Sequence, residues 1–452
     1  MIEYYSTNLN APRTDLAGAL LQGQASDKGL YMPSEVPAFA PDFLKRARDM
    51  AFPAMAAEIL GAYAQGVFTP AQLAEICEDA YNFPVPLEKV QDKRFVMRLD
   101  QGPTASFKDF AARFMGRALG RLVQSKGSEL LILTATSGDT GSAVAHAFLG
   151  VPGIRVLVLF PTGEVSDRQR KQMTTLGNNV AAISVDGKFD DCQALVKRAF
   201  ADPDLKGLNL SSANSINIGR LLPQSVYYVY AASRLADIAA GEKVVFSVPS
   251  GNFGDLMGGV LSYRSGLPVA RFVAATNAND EVPRFLATGT YQKIEPSREC
   301  ISNAMNVGHP SNLARLVALY GGRMDETGHI HQAPDMEALR RDFFSVSISD
   351  EETKATLARV YRETQVMLEP HGSVGWAGLE RLNEVDPSSR AYTSIVLETA
   401  HPAKFPAEVK ACINVEPPLP PSLEGLEDKP EVCGRMDASY EAFKAHLQKE
   451  YR

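Results

Sequence analysis

This sequence predicts a doubly wound α/β fold built on mostly parallel sheets, and three observations predict it. Short apolar runs that do not alternate, such as LLILTA and KVVFSVP, read as strands buried on both faces. Each is followed by a small-residue loop and then by a stretch of helical periodicity, the order that parallel crossovers require. The chain is also 452 residues long, more than one compact core of ordinary size takes up, so a large and a small domain are expected.

Taken in order, residues 1–92 read as a mostly helical N-terminal region. PDFLKRARDM and AQLAEICEDAY carry apolar residues at helical spacing, with Pro-containing breaks between them. Residues 93–400 carry the strand, loop and helix alternation, with the smaller domain expected over about 110–220. KRFVMRLD leads into the segment of Lys108, and ELLILTA leads into TSGDTGSAVAHAFLG. RVLVLFP and NVAAISVDG come next, KVVFSVP leads into SGNFGDLMGGVLSYR, and ARFVAATN and TSIVLETA complete the set. The stretch from Glu281 to Ser349 is the least regular and is expected to hold insertions or a mobile flap. Residues 401–452 are expected to form a C-terminal tail, Pro-rich and acidic through EPPLPPSLEGLEDKPEV, that wraps the surface before a last helix.

Composition narrows the function classes. A net charge of -7 and a pI of about 5.7 argue against a surface built to release counterions from nucleic acid. No apolar run reaches membrane-spanning length, and the N-terminus MIEYYSTNLNAPRTDL lacks a basic segment followed by an apolar one, so no membrane partner is expected. Five scattered cysteines with no C-x-x-C pair point to a reducing compartment, and a cytoplasmic location is expected. No compact histidine pattern suggests a metal; His329 and His331 are expected in a polar loop.

Chemistry is expected where strands end and helices begin. In GPTASFKDFAARF, Phe107, Phe110 and Phe114 recur at helical spacing after a helix start that Thr104 and Ser106 suggest, and Lys108 sits beside the apolar face. Burial there lowers a lysine's pKa and leaves more neutral amine, the form that attacks carbonyls; the alternative is a surface lysine whose charge stays wet. Two other junctions are rich in glycine and hydroxyl groups: SGDTG, Ser137 to Gly141, and SGNFGD, Ser250 to Asp255. Their exposed N–H groups suit an anion, yet neither matches G-x-x-x-x-G-K-[ST] or G-x-G-x-x-G. Each taken alone is as compatible with a plain strand-to-helix turn. Together, a lysine at one junction and a phosphate cradle at another point to a phosphorylated aldehyde, pyridoxal 5'-phosphate.

At this point a family resemblance is specific. GPTASFKDF, TATSGDTGSAVAHAF, SANSINIGR, VPSGNFGDLMGG, ATNANDEVPRF, EPHGSVGW and ETAHPAKF resemble the successive motifs of threonine synthases, in that family's order, and YYSTN and SDKGLYMPSEVP resemble its opening. The resemblance implies a fold type II pyridoxal-phosphate enzyme. It implies Lys108 as the lysine that carries the cofactor, and Ser250, Gly251, Asn252, Phe253, Gly254 and Asp255 as the phosphate-binding loop. Thr399 is implied to meet the pyridine nitrogen, and Asp139, where many relatives carry asparagine, the cofactor's 3-oxygen. Ser137 and Thr140 are implied to hold the substrate carboxylate, and Asn214, Ser215, Asn217 and Arg220 the substrate phosphate. Without the family, NSINIGR reads first as a polar helix cap with an exposed arginine.

The activity implied is threonine synthase: O-phospho-L-homoserine and water give L-threonine and phosphate, with Lys108 as proton carrier at successive carbons. A dehydratase of the same fold acting on an unphosphorylated hydroxyamino acid is one alternative. An idle homologue that senses a phosphorylated amino acid is another. The chain is compatible with a monomer or a dimer.

Overall fold

The computed structural model describes all 452 residues, 1–452. Near the N-terminus a short antiparallel pair, β1 (Tyr4–Ser6) and β2 (Tyr31–Pro33), brackets the first helix, Leu16–Gln22, which Asp15 caps through the N–H of Gly18. Helices Phe52–Tyr63 and Pro70–Ala80 follow; the second starts on a capping box in which Thr69 and Gln72 satisfy each other's backbone N–H groups.

The chain then builds two sheets. β3 (Leu87–Gln91) and β4 (Arg94–Arg98) open the larger one. β5 (Leu130–Ala135), β6 (Ile154–Pro161), β7 (Val180–Asp186) and β8 (Leu210–Ser212) build the smaller. β9 (Val244–Pro249) and β10 (Val269–Thr276) return to the larger sheet. A small hairpin, β11 (Arg323–Met324) and β12 (Ile330–Gln332), precedes two more strands of the larger sheet, β13 (Phe343–Ser347) and β14 (Thr393–Glu398). β15 (Gly434–Asp437) is the last. The larger sheet has the order β13-β10-β9-β14-β4-β3, parallel except for the β3–β4 pair, and the smaller has the order β15-β7-β6-β5-β8, parallel throughout.

Every residue of β5, β9 and β14 is buried, as expected of strands covered by helices on both faces. The helix Lys108–Lys126 packs against helices Pro70–Ala80 and Asp139–Phe148 and is buried along most of its length. Gly116 sits where a Cβ would lie 2.6 Å from the carbonyl oxygen of Ala147, so glycine lets this helix close on helix Asp139–Phe148.

Some expectations change in detail. The irregular stretch from 281 to 349 supplies an edge strand, β13, and the C-terminal segment supplies both β15 and the helix Tyr440–Tyr451, which packs against Phe189–Ala201. Phe443 and Leu447 of this last helix, which was expected as a helix, belong to the apolar cluster of the smaller sheet, so the helix is part of the core. His331 stands in the β12 strand, its Nε2 2.7 Å from Asp325 Oδ2, instead of in a loop.

Candidate active site

Both sheets present their carboxyl ends to one place. Glu398 pairs with Arg98 in register, so the segments leaving β4 and β14 begin side by side and reach Lys108 and Thr399. A bridge between Ser106 and Ala400, and the hydrogen bond from Phe107 N to Thr399 O (2.9 Å), hold these two segments together. From the smaller sheet, β5 delivers Asp139 and β8 delivers Arg220; β9 delivers Asp255.

Lys108 opens its helix with Phe107 at the cap. Thr104 does not cap it: its N–H and hydroxyl both donate to Asp109, at 2.8 and 2.7 Å, which folds the Gly-Pro turn back on the first helical turn. The Lys108 side chain is 12% exposed, so its charge is not wet. Its ammonium lies 4.5 Å from the centre of the Phe107 ring and 3.9 Å from Asp139 Oδ2, too far for a hydrogen bond. Burial pushes its pKa down to about 8; Asp139 opposes that, while Arg220 and Lys404 add to it.

Asp139 begins its helix after Gly138, whose φ of 134° and contact with Gln169 exclude a side chain. Thr136 Oγ1 accepts the N–H groups of Gly138 and Gly141 and so shapes the turn. Burial alone would raise the Asp139 carboxyl, but Lys404 and Lys108 outweigh it and hold the group below the usual carboxylate range. Ser137 and Thr140 are partly exposed at the mouth of this turn.

The 250–255 loop has the character of an anion nest. Phe253 takes a left-handed φ of 60°, and the main-chain N–H groups of Gly251, Asn252 and Phe253 donate to no protein acceptor just before helix Gly254–Arg264 begins. A Cβ on Gly251 would stand 2.7 Å from Met305 Cα, so the loop runs against backbone. Ser250 N donates to Ala275 O (2.7 Å) and its hydroxyl to Val248 O (2.9 Å). Asp255 Oδ1 accepts Tyr227 and Tyr228 hydroxyls at 2.6 and 2.8 Å, while its buried Oδ2 has no partner. Burial raises its pKa to about 6 against those hydrogen bonds. A loop with free N–H groups and a buried amine lacking a close acceptor fit a phosphorylated aldehyde.

NSINIGR is not an exposed cap. Arg220 is 2% exposed, and its guanidinium donates to Ala213 O (2.6 Å) while the buried Nε has no partner. Burial pushes its pKa down to about 10. Asn214 donates to Ala135 O (3.2 Å) and keeps an unpartnered Oδ1; Ser215 accepts Asn252 Nδ2 at 2.6 Å, which ties this loop to the nest. Asn217 differs: its amide donates to Leu20 O and Ser212 O and its oxygen accepts Gly219 N, so all of its visible bonds are internal.

Thr399 is buried at the end of β14, next to the fully buried Glu398. Glu398 is pushed well above the carboxylate range by burial, with Glu369 adding to the effect. Two further parts of the site were missed from the sequence. Lys404, fully buried, contacts Asp139 Oδ1 at 2.5 Å; its place in ETAHPAKF, between alanine and phenylalanine, was the available signal. Arg315, also fully buried, donates to the carbonyls of Tyr31, Ser215 and Ile216 and to Asn312 Oδ1. Asn312 in turn holds Asn252 O at 2.9 Å, so one helix clamps both candidate phosphate loops. LARLVAL gives no sequence sign of this.

The chain is similar to known proteins along its whole length. Residues 82–397 match the family described as pyridoxal-phosphate dependent enzyme, residues 3–81 the threonine synthase N terminus, and residues 373–447 the threonine synthase C-terminal family. The chain is 38% identical over 450 residues to a threonine synthase of Serratia marcescens, covering 99% of each chain. It is 39% identical over 435 residues to one of Haemophilus influenzae, covering 95% of this chain and 96% of the other. A PLP-bound threonine synthase structure from Brucella melitensis superposes with a TM-score of 0.92 at 34% identity, covering 100% of both.

Proposed function

Because the chain belongs to the threonine synthase family of pyridoxal-phosphate-dependent enzymes, we propose that Lys108 is the residue that carries the cofactor and moves protons on O-phospho-L-homoserine. The activity is that of threonine synthase, a pyridoxal-phosphate-dependent lyase of threonine biosynthesis. In the reaction proposed here, O-phospho-L-homoserine and water give L-threonine and phosphate. The observation that carries the assignment of Lys108 is its buried amine, pushed down to about 8, among Asp139, Arg220, Lys404 and Asp255.

Pyridoxal phosphate, when bound, supplies an electron sink for carbons next to the substrate's amino group. The Gly251–Phe253 N–H groups and the start of the Gly254–Arg264 helix would hold its phosphate, and Thr399 and Asp139 its ring. Ser137 and Thr140 would orient the substrate carboxylate. Arg220, with Asn214 and Ser215, would bind the substrate phosphate and steady it as it departs. Asn217 would serve by fixing that loop, since its bonds run to Leu20, Ser212 and Gly219. Lys108 Nζ, neutral in part near pH 7, would take a proton from one substrate carbon and return it to another. The five-stranded unit is proposed to close on the six-stranded one and exclude water until its addition. A cytoplasmic location belongs to the same proposal; no helix is long and apolar enough to cross a membrane.

The test is direct. Purified protein incubated with O-phosphohomoserine is expected to release threonine and phosphate in equal amounts, and borohydride reduction followed by peptide mapping is expected to fix the cofactor to Lys108. Lys108→Ala is expected to lose turnover. Cofactor found on another lysine would overturn the assignment, and turnover of serine or threonine without phosphate release would favour the dehydratase alternative.

A further inference from the structure

We propose that Lys404 is a positioning residue that takes the hydrogen-bonding contact with Asp139 and leaves Lys108 only a longer, unbonded approach to that carboxylate, so that Lys108 is the lysine that gives up its proton. Two lysines meet one carboxylate in a buried place. Lys404 Nζ lies 2.5 Å from Asp139 Oδ1 and also donates to Thr104 O at 2.9 Å. Gln169 Nε2 donates to the same Oδ1 at 3.0 Å. Lys108 Nζ stands 3.9 Å from Oδ2, outside hydrogen-bond range. One buried carboxylate compensates one ammonium, and an uncompensated buried charge is the state that desolvation removes. The better-bonded lysine keeps the carboxylate; the other holds its proton less tightly.

No other acid takes over. Asp255 acts on Lys108 from the Gly254–Arg264 helix, but its Oδ1 is held by Tyr227 and Tyr228, and burial raises its pKa. Asp109 faces Lys404, yet both its oxygens are taken by Thr104. Cations also face the pair: Arg220 toward Lys108, and Arg98 and Arg168 beyond His401, whose pKa burial lowers to about 4. The lowering of Lys108, to which Lys404 itself contributes, agrees with the geometry. A lysine so prepared is poised to attack an aldehyde and to serve as a base.

The inference rests on Lys108 being the working lysine, and the assay reads that amine and not turnover, so the two fail separately: borohydride mapping tests the assignment, titration tests Lys404. Full-length protein freed of cofactor is labelled competitively with acetic anhydride across pH 6 to 11, and the Lys108 peptide is quantified by mass spectrometry. In the parent the midpoint is expected at about 8. Lys404→Met hands Asp139 to Lys108, so its midpoint is expected to rise by about one unit or more, with labelling at pH 7 about tenfold lower. Lys404→Arg keeps the charge and is expected to restore the parent midpoint. An unmoved or lowered midpoint in Lys404→Met overturns the proposal. Should that variant not accumulate as folded protein, Lys404→Arg decides alone: a parent-like midpoint supports the proposal, and a rise of about one unit or more overturns it.

Discussion

Replacing Arg220 tests whether the loop leaving β8 is the substrate-phosphate site. Arg220 is buried, one of its nitrogens is bonded to Ala213 O at 2.6 Å, and its Nε is left without a partner. An arginine held in this way has donors to offer a ligand from a fixed position, whereas a lysine presents a single ammonium. If the phosphate takes two of those donors, each bond to a charged group contributes about 1.5 to 3 kcal/mol. Arg220→Lys, losing one, is then expected to lower kcat/KM by about 10- to 100-fold. Arg220→Ala, losing both, is expected to lower it by about 100- to 10,000-fold. Because the phosphate is also the leaving group, part of the loss is expected in kcat as well as in KM. The assay follows phosphate release and threonine formation from O-phosphohomoserine, with the cofactor's absorption recorded alongside; that absorption is expected to persist, since Arg220 is assigned to substrate. Near-parent kcat/KM in Arg220→Ala would refute the assignment and reopen a substrate without phosphate.

Three other outcomes are expected. Lys108→Met in cofactor-free protein is expected to stabilise the fold. A drop in pKa from 10.5 to about 8 costs about 3 kcal/mol below pH 8, where both states are protonated, and the gain on substitution fades as pH rises from about 8 toward 10.5, where the unfolded parent still binds the proton. Denaturant midpoints measured at pH 7 and pH 10 check this, and an equal gain at both would contradict it. Gly251→Ala forces a Cβ to within 2.7 Å of Met305 Cα, main chain that cannot swing aside, and an overpacking cost of about 1 to 3 kcal/mol is expected as roughly 10- to 100-fold weaker cofactor binding; unchanged affinity in a cofactor titration would count against the nest. Arg315→Lys removes the fork that holds the carbonyls of Tyr31, Ser215 and Ile216, and a loss of about 2 to 4 kcal/mol in urea unfolding is expected, with a raised KM; an unmoved midpoint would show that the clamp is idle.

By itself the sequence determined the features whose physics is local. Apolar runs such as LLILTA and KVVFSVP become strands buried on both faces, because a run with no polar side needs cover on both. Lys108 and the 250–255 loop could be placed at strand-to-helix junctions because glycine, proline and hydroxyl residues mark where a chain turns. The motif order carried the family. Partners distant in the chain were decided by the tertiary structure alone. Whether Arg220 lies in solvent or in the interior is a matter of what packs around it, and nothing in NSINIGR states that. Thr104 was expected near a helix cap and instead binds Asp109, since both lie where the turn folds onto the helix. β15 joins the smaller sheet because β7 leaves an open edge there, a vacancy that exists only once the sheet is formed. The same holds for Asp139, Lys108 and Lys404. Local composition makes each a charged side chain near a turn, but which lysine keeps the carboxylate depends on distances and burial set when β5, β14 and the Lys108–Lys126 helix meet.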